Sequence, residues 1–131
     1  MLLPENNDPL SADWNEQGGN AMFGWFGGGT KSLSMRAAQE ELAKDPRIVL
    51  LDVRTREEHR SGHIKGSINV PLDRLPTEIT RHVPDKSARI FVYCLSGSRS
   101  GGAASWMARN GYTDVTNIGG IHAWAGPIAG G

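Results

Sequence analysis

The sequence has a single cysteine, Cys94, in 131 residues. One thiol excludes an intrachain disulfide and any zinc site assembled from several cysteines. Charge of one sign is not in excess either. Fourteen basic residues balance fourteen acidic ones, so net charge gives no reason to expect nucleic acid or an anionic membrane as a partner. Apolar runs are short, and none approaches the roughly 18 residues that span a bilayer. The opening MLLPENNDPL lacks the basic stretch and apolar core of a secretory signal. With one reduced cysteine, this leads to the expectation of a cytoplasmic protein. Internal repeats are absent, and the length suits one domain with a core of ordinary size.

Organisation changes near Lys31. Residues 1–30 are rich in glycine, asparagine and acidic residues and hold no lasting periodicity, which reads as a poorly ordered extension. Within it Met22, Phe23, Trp25 and Phe26 stand beside a glycine run. That cluster fits a flexible tail, or an apolar anchor for a partner or for the domain's own surface. Residues 31–131 read as the single domain.

From Ser34 onward helical and strand signals alternate. Ser34 caps a helix with Met35, Ala38 and Leu42 on one face, stopped by Asp45-Pro46. RIVLLDV and ARIFVYC are continuous apolar runs, as expected of strands covered on both faces. Thr55 and Glu58 have the spacing of a capping box. SINVP is a short strand, and Leu72, Leu75, Ile79 and Val83 recur at helical intervals with Pro76 in the first turn. SRSGGAASWMARNG is a helix closed by Gly111, DVTNI a last strand, and IHAWAG a final helical turn. The expected fold class is α/β, a small, mostly parallel sheet with helices on both faces.

A lone cysteine is either a small buried hydrophobe or a nucleophile. Cys94 ends the strand IFVYC just ahead of a helix, and open parallel sheets bind ligands beyond the carboxyl ends of their strands. That position favours the nucleophile. Leu95, Ser96, Gly97, Ser98 and Arg99 follow in a short turn whose N–H groups can form an anion-binding nest. Gly97 opens backbone conformations closed to other residues. The helix N-terminus and the Arg99 charge both favour a thiolate.

The loop Cys94-Leu95-Ser96-Gly97-Ser98-Arg99-Ser100 resembles the C-x-x-G-x-R-S active-site loop of rhodanese-domain sulfurtransferases. Two further blocks agree. LLDVRTREEHRSGHIKGSINVP resembles the family's D-V-R…E…G-H-I-x-G-(A/S)-x-N-(I/V)-P block through Asp52, Val53, Arg54, Glu58, Gly62, His63, Ile64, Gly66, Asn69 and Pro71. NGYTDVTNIGGIHAW is similar to its closing G-(F/Y)-x-x-V-x-x-(L/I)-x-G-G-x-x-x-W through Gly111, Tyr112, Val115, Ile118, Gly119, Gly120 and Trp124. The resemblance covers about residues 33 to 126. His59 departs from it, standing where the family usually has an aromatic residue.

The resemblance implies a rhodanese-like fold and an enzyme that carries sulfane sulfur as a Cys94 persulfide. The donor would be a small molecule such as thiosulfate, and the acceptor cyanide, a thiol or a protein. Leu95, Ser96, Gly97, Ser98 and Arg99 would bind the substrate, with Arg99 seating an anionic donor. Asp52 and Arg54 lie at a strand end nearby, as a structural ion pair or in contact with substrate. His63 fits an orienting hydrogen-bond partner better than an acid or base. His59 and His63 are the only close histidine pair and no third ligand follows, so no metal is expected, and no cofactor. Gly119-Gly120 fit a tight turn, and Trp106 and Trp124 fit packing. A monomer is expected. Two rivals stand beside the transferase: a non-catalytic rhodanese-like binding module, and a cysteine-dependent phosphatase of the same fold. The phosphatases have a loop one residue longer, C-x5-R, whereas four residues separate Cys94 from Arg99 here.

Overall fold

The structure is a computed structural model, which describes residues 25–26 and 30–130. In chain order the strands Trp25–Phe26 (β1) and Thr30–Ser32 (β2) lead to the helix Met35–Lys44 (α1) and the strand Val49–Asp52 (β3). The short helix Arg56–Ser61 (α2) follows, then the strands His63–Ile64 (β4) and Ile68–Asn69 (β5). A single-turn 3-10 helix, Leu72–Arg74, runs into the helix Leu75–His82 (α3). The strand Ile90–Cys94 (β6), the helix Ser98–Arg109 (α4) and the strand Val115–Gly120 (β7) come next. A 3-10 turn at Ile121–Ala123 and the strand Ile128–Ala129 (β8) complete the order.

Local chemistry sets most of these limits. Ser34 Oγ accepts the Ala37 N–H at 3.1 Å to open α1. Thr55 and Glu58 form the complete capping box at the start of α2. Pro76 sits in the first turn of α3, where no backbone donor is needed. Gly111, at φ 97, turns the chain after α4 so that the Tyr112 N–H reaches the Met107 carbonyl at 3.0 Å.

The main sheet has the order β1-β2-β7-β6-β3-β5. Every neighbouring pair is parallel except β1 with β2. Alternation along the central strands divides the core. Leu51, Val53, Ile90, Val92 and Cys94 pack with Leu75 and Ile79 of α3 and with Ala103, Ala104 and Met107 of α4. Leu50, Phe91 and Tyr93 face the other way, towards Met35 and Ala38 of α1, with Ile64 and Ile118. The sheet is covered on both faces, as the apolar runs predict. Trp106 and Trp124 pack against these two clusters respectively.

Three features differ from the sequence reading. The extension expected over residues 1–30 lies mostly outside the described residues, Met22 and Phe23 included. Its described members, Trp25–Phe26 and Thr30, nevertheless pair in the sheet, so the ordered strands begin before Lys31. Second, β7 is not the last strand: β8 pairs antiparallel with β4. Two-residue strands are held by backbone pairing and carry no side-chain period to read. Third, Gly120 does more than turn the chain, as the site shows. No helix among the described residues is long and apolar enough to cross a membrane.

Candidate active site

β6 is buried along its whole length, and Cys94 at its carboxyl end has no exposed surface. Its side chain lies on the α3–α4 face, beneath the start of α4. Between strand and helix the backbone bends through Leu95, Ser96 and Gly97, with Gly97 at φ 107 and ψ −16 as the residue preceding α4. That left-handed conformation suits glycine alone among ordinary residues. It aims the Gly97 N–H at Cys94 Sγ, 2.9 Å away. Burial pushes the thiol pKa up. The Ser100 hydroxyl and the amides of Ser100, Gly97 and Ser96 outweigh it, so the thiol lies below its ordinary value.

The cradle is backed from below. Cys94 pairs with Gly120 across β6 and β7, and a Cβ on Gly120 would collide with the Leu95 carbonyl. A Cβ on Gly97 would meet the Gly119 Cα at 3.5 Å. The absence of a Cβ at Gly120 thus lets the loop lie flat on the strand end, while Gly119, at φ 93, supplies a left-handed turn just before it. Ser100 Oγ lies 2.7 Å from Asn117 Oδ1 and 3.0 Å from the Gly97 carbonyl. Asn117 Oδ1 also accepts the Gly119 N–H at 3.0 Å. Ser100 and Asn117 therefore tie loop, helix and strand together.

Leu95, Ser96 and Ser98 are exposed around the cradle. Arg99 does not reach over Cys94 as a free cation. Its Nη1 and Nη2 donate to Glu58 Oε1 and Oε2 at 2.7 and 2.9 Å. Glu58 Oε1 also accepts the Thr55 N–H at 2.8 Å, so one carboxylate caps α2 and holds the first turn of α4.

Asp52, Arg54 and His63 belong to a separate cluster on the other face. Arg54 Nη2 donates to Asp52 Oδ2 at 2.8 Å and to the Gly62 carbonyl at 2.8 Å, and both side chains of the pair are almost fully buried. They form a structural ion pair. The Tyr93 hydroxyl donates to Asp52 Oδ2 at 3.2 Å and accepts the Ile64 N–H at 3.0 Å, and burial pushes its phenol up to about 12. His59 Nδ1 lies 2.9 Å from Asp52 Oδ2 and donates to that carboxylate. His63 Nδ1 donates to the His59 carbonyl at 2.7 Å, and the two rings stack at 3.6 Å. No group of three metal-ligating side chains occurs among the described residues.

Of the residues singled out in the sequence, Cys94, Ser96, Gly97 and the backbone of the loop come together. Ser100, Glu58 and Asn117 carry structural roles there that sequence reasoning did not assign. Ser100 lay within the quoted motif, and the capping box singled out Glu58 for a different bond. Nothing local marks Asn117.

A family model described as a rhodanese-like domain matches residues 35–127. Thiosulfate sulfurtransferase PspE of Escherichia coli is 40% identical over 77 residues, covering 59% of this chain and 74% of that protein. The tRNA uridine(34) hydroxylase of Erwinia tasmaniensis is 34% identical over 97 residues, 70% of this chain. This chain spans only 28% of that hydroxylase. A solved structure of a rhodanese with anions from Escherichia coli superposes with a TM-score of 0.61 at 38% identity, covering 64% of this chain and 99% of that one.

Proposed function

This chain belongs to the rhodanese-like domain family, and from that premise we propose that it is a sulfurtransferase carrying sulfane sulfur on Cys94. The observation that carries the reading is the cradle itself. A buried thiol at a strand end faces the Gly97 N–H at 2.9 Å, with backbone amides and a helix start converging on one atom. Such donors stabilise a thiolate, and then any anionic sulfur added to it.

In the first step Cys94 thiolate attacks the outer sulfur of a donor such as thiosulfate. A bond forms between Sγ and that sulfur, the donor's S–S bond breaks, and its electron pair leaves with sulfite. In the second step cyanide or a thiolate, on a small molecule or a protein, attacks the outer sulfur of the persulfide. Thiocyanate or a new persulfide leaves, and Cys94 returns as thiolate. The two half-reactions share one covalent intermediate, so ping-pong kinetics follow. No cofactor enters, and the loop amides hold the charged outer sulfur throughout. The catalytic unit is the domain from about residue 31, acting as a monomer in the cytoplasm.

The test is mass spectrometry of the intact protein after thiosulfate. The expected result is one added sulfur, removed by cyanide with release of thiocyanate. An unchanged mass, with no thiocyanate formed, overturns the reading.

A further inference from the structure

The guanidinium of the loop that follows the thiol is already paired. Arg99 stands in the first turn of α4, and both of its terminal nitrogens fork onto the two oxygens of Glu58 at 2.7 and 2.9 Å. Two-point pairing of this kind fixes orientation as well as charge. The carboxylate is itself anchored, since Glu58 Oε1 accepts the Thr55 N–H and the Glu58 N–H donates to Thr55 Oγ1 at 3.1 Å. Arg54, the other arginine near the strand ends, is held by Asp52 and the Gly62 carbonyl. Above all through the Arg99 hydrogen bonds, with burial opposing and the Thr55 N–H assisting, the Glu58 carboxyl is held at about 2. Glu58 therefore stays ionised at any ordinary pH.

A donor approaching Cys94 thus meets an arginine–glutamate pair of net zero charge in place of a lone cation. A fork with about a third of each side chain exposed is open to solvent and cheap to perturb. This placement makes Glu58 a charge filter. We propose that Glu58, by holding Arg99, sets the choice of sulfur donor, disfavouring doubly charged donors relative to donors with one negative charge or none, alkyl and protein persulfides among them. The inference rests on the sulfurtransferase reading above. With a persulfide donor R–S–SH, Cys94 thiolate attacks the terminal sulfur, the donor's S–S bond breaks, its electron pair leaves with the thiolate R–S⁻, and the proton stays on the sulfur now bound to Sγ. No oxidant is consumed.

Glu58→Gln separates the two jobs of this residue. Glutamine still accepts the Thr55 N–H, since a capping box takes either residue, but its amide does not neutralise a guanidinium. Two probes run the same chemistry with different charge: thiosulfate, a dianion, and methanethiosulfonate, a monoanion that leaves as methanesulfinate. In E58Q the KM for thiosulfate should fall about fivefold at low ionic strength, the KM for methanethiosulfonate should fall less, and kcat should change little. The freed charge should also make the E58Q KM for thiosulfate rise with salt. Wild-type KM should move less than about twofold up to roughly 0.2 M salt, because the donor meets a neutral pair. That measurement needs no variant and holds if E58Q folds poorly.

A wild type that transfers sulfur from both donors, with the KM ratio unmoved by E58Q, overturns the charge filter alone. So does a wild-type thiosulfate KM that climbs steeply with salt, which would mean that Arg99 reaches the donor. A wild type that takes no sulfur from either donor overturns the sulfurtransferase reading, and the filter with it.

Discussion

Two polar clusters meet at the carboxyl ends of β3 and β6, on opposite faces of the sheet. On one face Asp52 gathers Arg54, His59 and Tyr93, each donor aimed at a carboxylate that has no exposed surface. On the other, one residue further along β6, Cys94 gathers backbone amides and the Ser100 hydroxyl. The first cluster is centred on two full charges, Asp52 and Arg54, that neutralise one another. The second is made of partial charges converging on a small, polarisable atom. A closed ion pair resists rearrangement and fixes where the strands end. A thiol cradled by dipoles keeps donors that serve equally for the thiolate and for a sulfur added to it. The alternation of side chains along β6 is what separates the two roles.

The sharpest break in this comparison is Cys94→Ser. Serine keeps the fold and the cradle but forms no persulfide, so thiosulfate:cyanide sulfur transfer should be lost entirely, with circular dichroism and melting temperature little changed. Substantial activity in the variant would place the chemistry elsewhere.

Asp52→Asn breaks the other cluster. It removes the carboxylate and leaves the Arg54 guanidinium buried and unpaired, a change worth about 3–5 kcal/mol of stability. Urea unfolding should show that loss, and the melting temperature should fall by roughly ten degrees or more. Sulfur transfer per folded molecule should persist at low temperature. A loss of activity without a loss of stability would mean that Asp52 acts on substrate.

Much of this layout was legible in the sequence, for reasons particular to each part. The apolar runs at Val49–Asp52 and Ile90–Cys94 identify central strands because both faces of each are buried. Ser34 and Thr55 mark helix starts because their hydroxyls accept amide protons at fixed spacing. The loop after Cys94 was legible as a nest because glycine, a helix start and a strand end converge on it. The partner of Arg99 was not. The capping-box pattern gave Glu58 a local bond to Thr55, and nothing in the spacing says that the same carboxylate also spans 41 residues to Arg99. His59 likewise stood out only as a departure from the family's aromatic residue. Its hydrogen bond to Asp52 and its stacking on His63 depend on how α2 folds back over the end of β3.

Gly120→Ala tests how closely the cradle must be held. The added methyl collides with the Leu95 carbonyl and has backbone rather than a flexible side chain to push, so the loop must lift from β7. Misplacement of reacting groups by about 1 Å can cost roughly 10²-fold in rate. A loss of that size in kcat/KM is expected, with a smaller loss of stability than Asp52→Asn causes. Wild-type rates in the alanine variant would show that the loop tolerates displacement.

The smallest effect should come from Ser100→Ala, and its pH dependence separates electrostatics from scaffolding. The Ser100 hydroxyl contributes to holding the Cys94 thiol below its ordinary value, against the opposing push of burial. Removing it disfavours the thiolate, so the thiol titrates at higher pH in the variant. Persulfide formation follows the thiolate fraction and rises with pH until the thiol is fully ionised. The variant should therefore be roughly fivefold slower than wild type near neutral pH, in line with one lost hydrogen bond to a charged group, and should converge on the wild-type rate in alkaline solution. Linkage gives the matching sign for stability. A thiol whose folded pKa is lowered stabilises the fold most above its unfolded value and loses that contribution as pH falls through the folded one. The gain in wild-type stability on going from neutral to alkaline pH should thus be smaller in the variant. Ser100→Thr, which keeps the hydroxyl, should restore most of the rate at neutral pH. Ser100 also bonds Asn117 Oδ1 at 2.7 Å, and loss of that contact alone would slow the reaction by the same factor at every pH. A rate deficit that does not close as the pH is raised therefore assigns Ser100 to the scaffold of the loop and removes it from the stabilisation of the thiolate.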